Sequence, residues 1–170
     1  PDDLLTTKGD THGFSTVNAR VPIGADLAVL TADSTTALGL AWTPPASSTE
    51  MISIAMGDET SVLAAASTTV PVVTFSMPYG FTLTGVIVSA VTPPTGAALV
   101  TVDVHEDGST VLSTKVTIDA GEKTSATAAT PPVISDSGLA VNSLIQVFVD
   151  QIDTDNVATG LKIYLIGTQT

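Results

Sequence analysis

The sequence predicts an all-β fold, on three observations. Threonine and valine are abundant, and their branched Cβ atoms are stiff in a helix but fit a pleated sheet. Ten prolines and thirteen glycines interrupt the 170 residues at short intervals, which suits many short strands joined by turns. Several of the intervening runs alternate apolar and polar residues with a period of two. The expected architecture is an antiparallel two-sheet sandwich of jelly-roll type preceded by an extended N-terminal arm, with an immunoglobulin-like sandwich as the alternative.

The arm is expected over residues 1–45. Its apolar residues, among them Leu4, Leu5, Phe14, Val21, Ile23, Leu30, Leu40 and Trp42, are scattered between Gly, Asp and Thr with no sustained period. Such a segment closes no core alone and is expected to dock on a neighbour or on copies of itself. Pro44-Pro45 leads into a stiff polar linker, placed at 46–50, and the sandwich domain follows over 51–170.

Within the domain, Met51–Met56 and Val70–Phe75 read as short strands, the second as an edge because Pro71 lacks a ladder donor. Only Ser61–Thr68 is Ala-rich enough for a helical turn. Phe81–Val91 is a longer strand in which Gly85 marks a bulge or bend. In Leu99–Glu106, Val100, Val102 and Val104 face one way and Thr101, Asp103 and His105 the other. Asp107-Gly108 is a strong two-residue hairpin signal, and Thr110–Ile118 is the return strand. Leu144–Ile152 places Ile145, Val147 and Val149 on the core face, and Leu161–Ile166 does the same with Leu161, Ile163 and Leu165. That leaves Phe148, Tyr164 and Ile166 on outer faces. They are either covered within the subunit, as on a central strand buried on both sides, or candidates for a subunit interface.

Composition narrows the function. Seventeen acids against five bases give a net charge of -12, which repels phosphate backbones and argues against nucleic-acid binding. Cysteine is absent, which excludes disulfides, Cys-zinc sites and thiol chemistry. No apolar run approaches the length of about 18 residues that a membrane helix needs, and no basic, apolar leader opens the chain. Two histidines and one arginine are little material for catalysis. The nucleophile-elbow, HExxH, GxGxxG and P-loop patterns are absent.

The densest acidic cluster contains Asp150, Asp153 and Asp155, with Asn156 beside them. Oxygen ligands of this kind suit calcium, but the spacing is not that of an EF-hand. A polar turn is the preferred reading, and the three aspartates stand as the weaker metal candidates. His105, Glu106 and Asp107 are consecutive on a strand end and point alternately, so His105 is expected to be solvated. A carboxylate hydrolase using Asp103 and Asp150 is a minor alternative, motivated only by their outward positions. No cofactor is expected.

Two stretches resemble bacteriophage virion proteins. Lys8-Gly9-Asp10, Arg20-Val21-Pro22-Ile23-Gly24, Val29-Leu30-Thr31-Ala32-Asp33-Ser34 and Gly39-Leu40-Ala41-Trp42 resemble, in order, a segment that recurs in phage tail fibres. Where that segment usually has Gly or Asn before the Val-Leu pair, this chain has Leu27-Ala28. Over roughly 81–167, Thr92-Pro93-Pro94-Thr95-Gly96, Val102-Asp103-Val104, Ser113-Thr114-Lys115, Leu139-Ala140 and Gly160-Leu161-Lys162 resemble a sandwich module of phage structural proteins. The resemblance implies a non-enzymatic virion protein, made in the bacterial host cytoplasm and carried on the capsid surface or on a tail or fibre. It also implies a homotrimer, acting as capsid decoration (cement) or as a short fibre. The partners would be further copies of itself and other virion proteins, such as major capsid, tail or collar proteins, with no membrane and no nucleic acid. The alternative function is a receptor module that binds a host surface glycan through the loops at Thr92–Gly96 and Asp150–Asn156.

Overall fold

A computed structural model describes residues 7–14, 18–45, 48–62, 66–97 and 99–170. The chain is all-β, with several antiparallel sheets and, among the described residues, no α-helix. It divides into two compact units, Pro1–Ser47 and Ser48–Thr170.

The first unit departs from the expected extended arm, because it contains two hairpins. Strand β1 (Thr11–Phe14) pairs with β2 (Asn18–Val21), and β3 (Val29–Ala32) with β4 (Leu40–Thr43). Local turn chemistry closes the second hairpin. Asp33 Oδ1 accepts from the Thr35 amide at 2.9 Å, the Asp33 amide donates to Gly39 O at 2.8 Å, and Gly39 takes a φ of 67°. Strands of four residues are too short to show a period, so the pattern was invisible in the sequence. Trp42 Nε1 donates to Pro22 O at 2.6 Å and ties the two hairpins together. Gly24 permits this approach, since a Cβ there would lie 2.4 Å from the indole.

The second unit holds the main core between two sheets. One has the order β11-β8-β14-β6, built from β6 (Val73–Ser76), β8 (Val100–Glu106), β11 (Val116–Ile118) and β14 (Leu144–Gln151), with β9 (Ser109–Thr110) pairing on β8. The other has the order β13-β7-β15-β5, built from β5 (Glu50–Ala55), β7 (Phe81–Ser89), β13 (Gly138–Leu139) and β15 (Lys162–Gln169). A small pair, β10 (Leu112–Thr114) with β12 (Val133–Ile134), completes the set. The core residues are those the alternation marks: Val100, Val102 and Val104 on β8, Ile145, Val147 and Val149 on β14, and Ile163 and Leu165 on β15. Leu161, just before β15, joins them.

Asp107 and Gly108 take φ of 48° and 86°, both left-handed, as a two-residue type I′ turn requires. His105 pairs with Thr110 and Glu106 with Ser109 across it. The return strand, expected as one run, is broken. Thr110 Oγ1 hydrogen-bonds both the amide and the carbonyl of Leu112, which takes that residue out of the ladder on β8. Strand β10 then pairs with β12, and only β11 rejoins β8. The expected helical turn at Ser61–Thr68 falls partly on 63–65, outside the described residues; the described flank at Val62 forms a bridge to Thr159. Strand β6 lies at a sheet edge, beside Pro71.

The pairing of β15 with β7 shifts between Ile166 and Gly167, beside the bend at Gly85. A Cβ on Gly167 would lie 2.1 Å from Thr82 O and 2.6 Å from the Phe81 ring. Neither a ladder carbonyl nor a buried ring can retreat. Gly167→Ala is therefore expected to cost about 3 kcal/mol, at the upper end of overpacking penalties. A urea midpoint unchanged from wild type would contradict this.

Candidate functional site

The outer face of the β11-β8-β14-β6 sheet carries the densest polar cluster of the second unit. Asp103, pointing away from the core on β8, is 2% exposed. Its Oδ1 accepts from Thr110 Oγ1 at 2.6 Å and from the Val104 amide at 2.8 Å. Its Oδ2 faces Lys115 Nζ at 3.0 Å and His105 Nε2 at 3.2 Å. Lys115 Nζ also bonds Asp150 Oδ2, so one ammonium bridges two carboxylates from neighbouring strands. Asp150 lies where the β14–β8 pairing shifts between Val149 and Gln151, and a bulge of this kind re-aims a side chain.

Two expectations are corrected here. Phe148, an interface candidate, is 5% exposed, and its ring packs on His105 with centroids 4.5 Å apart. It sits on a central strand, opposite Asp103, and is covered within the chain. His105, expected to be solvated, is held by Asp103 and Phe148 instead. Residues two apart on a strand share a face, so His105 converges with Asp103 rather than with Glu106 or Asp107.

Burial pushes the Asp103 carboxyl up, but the hydrogen bonds from Thr110, Lys115 and His105 outweigh it and hold the group below its ordinary value. The bond to Asp150 holds the Lys115 ammonium above its ordinary value, against burial and with further support from Asp103. For a carboxylate with a lowered folded pKa, the stability it contributes is present above the ordinary value of 3.8 and is lost as pH falls through the lower folded value. Asp103→Asn is expected to flatten the acid limb of stability below about pH 5. Equal acid limbs for the two proteins in urea unfolding would refute it.

The metal candidates do not meet as a set. Asp150 is taken by Lys115, and Asp155 Oδ2 accepts from Thr95 Oγ1 at 3.1 Å. Asp153 Oδ2 accepts from the Val157 amide at 3.2 Å, and the Asn156 amide donates to Asp153 O at 3.1 Å in a tight turn where Asn156 has a φ of 47°. Asp153 Oδ1 and Asn156 Oδ1 are buried with no hydrogen-bond partner among the described residues. Two such acceptors suit a buried water as well as an ion. Among the described residues no group of three or more His, Cys, Asp or Glu converges on a metal position. The loop at Thr92–Gly96 does meet this turn. Besides the Thr95–Asp155 bond, a Cβ on Gly96 would lie 2.0 Å from Thr154 Oγ1, and Thr92 bridges Thr159.

On the outer face of the second sheet, Tyr164 and Ile166 are half-buried, and Met51 beside Ile166 is 60% exposed. Tyr164 Oη shares a hydrogen bond with Ser89 Oγ at 3.1 Å. In the first unit Val21 is buried, Leu30, Leu40 and Trp42 are half-buried, and Ile23 is exposed with Leu27 and Val29. Leu27 takes a left-handed φ of 66°, a backbone that favours Gly or Asn. Leu4, Leu5 and the side chain of Phe14 lie outside the described residues.

Comparison with protein-family models, with curated proteins and with solved structures returns no match.

Proposed function

We propose that this chain is a non-enzymatic surface structural protein of a phage virion that self-associates, as a trimer, to decorate a capsid or build a short fibre. The observation that carries the reading is the outer face of β7, β15 and β5. Met51, Ser53, Ala55, Ile87, Ser89, Tyr164, Ile166 and Thr168 share it with one cation, Lys162, which is paired with Glu59. In a chain with 17 acids and 5 bases, a face whose one cation is already paired can bury apolar area against another copy at little electrostatic cost. Exposed Ile23, Leu27 and Val29 give the first unit its own docking residues.

A jelly roll is part of the same reading, and strand order supports it. Strand β5 pairs with the last strand, β15, while β6 pairs with the preceding one, β14. Strands β7 and β8 then sit beside β15 and β14 in turn, as when a long hairpin is rolled up.

The test is the native mass of Ile166→Glu beside wild type, by light scattering. Loss of the oligomer in the variant supports the reading. A wild-type oligomer unaffected by the charge moves the interface elsewhere.

The second reading is a glycan-binding module, favoured by the meeting of the Thr92–Gly96 and Asp150–Asn156 loops through Thr95 and Asp155. Loops of this kind display polar groups that suit sugar hydroxyls. A broad glycan array with no signal above background would remove it.

A further inference from the structure

We propose that Lys115 and Asp150 condense into an intramolecular amide cross-link, with Asp103 as the proton carrier. The inference does not depend on the virion reading. It rests on one amine held against two carboxylates on adjacent strands: Nζ contacts Asp150 Oδ2 and lies 3.0 Å from Asp103 Oδ2. The Asp103 and Asp150 side chains are 3% and 10% exposed and that of Lys115 is 42% exposed, and the Phe148 and His105 rings pack together on the same face.

A nucleophile already in contact with its acyl group reacts without the entropy cost of encounter. The contacts hold both groups in their charged forms and the Lys115 side chain is 42% exposed, so the step runs through the minor neutral pair and proximity alone drives it. The resting groups are charged, so the first event is a proton transfer from the ammonium to a carboxylate. Asp103, in contact with the reacting nitrogen, is placed to take that proton. The Nζ lone pair then forms the N–C bond to Asp150 Cγ. One carboxyl oxygen of Asp150 leaves as water, protonated through Asp103 by protons that began on Nζ. The ammonium and carboxylate thus give one amide and one water. The charges cancel, and no oxidant, reductant or activating co-reactant is required. The remaining N–H of the amide can still donate to Asp103 Oδ2. The product ties the segment before β11 to β14 and closes the chain between 115 and 150 into a covalent loop.

Intact mass spectrometry of the purified full chain tests this, followed by protease fragment mapping. The expected mass is below the sequence mass by one water, about 18 Da, the product of condensation, with the Lys115 fragment joined to the Asp150 fragment. Lys115→Arg keeps the cation and is expected to restore the full sequence mass. Asp103→Asn is expected to retain it too, or to lose water many-fold more slowly. Wild-type protein at full sequence mass after prolonged incubation overturns the proposal. So does a loss of water that survives Lys115→Arg, which would place it elsewhere, for instance at Asp107-Gly108. An Asp103→Asn variant that links at the wild-type rate overturns the role of Asp103.

Discussion

Replacing Asp103 with alanine is expected to destabilise the protein by about 3 kcal/mol, the upper end of the cost of leaving buried hydrogen-bonding groups unpaired. The carboxylate is the shared acceptor for Thr110, Lys115, His105 and the Val104 amide. Its loss takes the carboxylate partner from the His105 ring and the acceptor from the Val104 amide, while Thr110 keeps its bonds to Leu112. Burying a polar group without a partner costs more than the hydrogen bond itself returned. The urea midpoint should fall with little change in slope, since the surface exposed on unfolding is nearly the same. Asp26→Ala, on an exposed residue of the first unit, is the control and should stay within about 0.5 kcal/mol. A loss below about 1 kcal/mol for Asp103→Ala would mean that the network is solvated.

The second large effect is expected at Phe81. Its ring is 1% exposed at the start of β7, lies 6.4 Å from Tyr79 and borders Gly167. Phe81→Ala should cost about 3–5 kcal/mol, from lost transfer energy plus the cavity left behind. The surroundings cannot collapse easily, because Gly167 has no side chain to fill the space and its backbone is fixed by the ladder. Phe81→Leu, which keeps most of the volume, should lose under about 1.5 kcal/mol. Equal losses for the two variants would show that volume is not what matters there.

Much of the second unit was legible because its strands are half-buried and long enough to alternate. Val100, Val102 and Val104, then Ile145, Val147 and Val149, declared their core face with a period of two, and Asp107-Gly108 declared the hairpin. The first unit was not legible. Its strands have four residues each, and its folding depends on single contacts such as Trp42 to Pro22. The polar cluster was half legible. Asp103 and Asp150 read as outward carboxylates, but nothing in the sequence puts Lys115 between them. Counting back from Asp107-Gly108 as an unbroken hairpin pairs Val102 with Ser113, whereas β8 in fact pairs Val102 with Val116. The break that Thr110 introduces at Leu112 moves Lys115 into line with Asp103. A side-chain hydrogen bond to the local backbone decides this, and no periodicity carries that information. Phe148 was ambiguous for a related reason: the sequence shows an outward aromatic, but not the histidine ring that covers it.

The central claim is self-association of a surface protein, and sedimentation equilibrium of the full chain tests it most directly, run beside a shortened chain beginning at Glu50. The account predicts a species of three times 17.2 kDa for the full chain. A trimer that survives the shortening assigns the interface to the outer face of β7, β15 and β5, and one that is lost assigns it to the first unit. A single-chain mass of 17.2 kDa for both chains, at every concentration up to about 100 µM, would contradict the claim, because it would place any self-affinity weaker than about 5 kcal/mol.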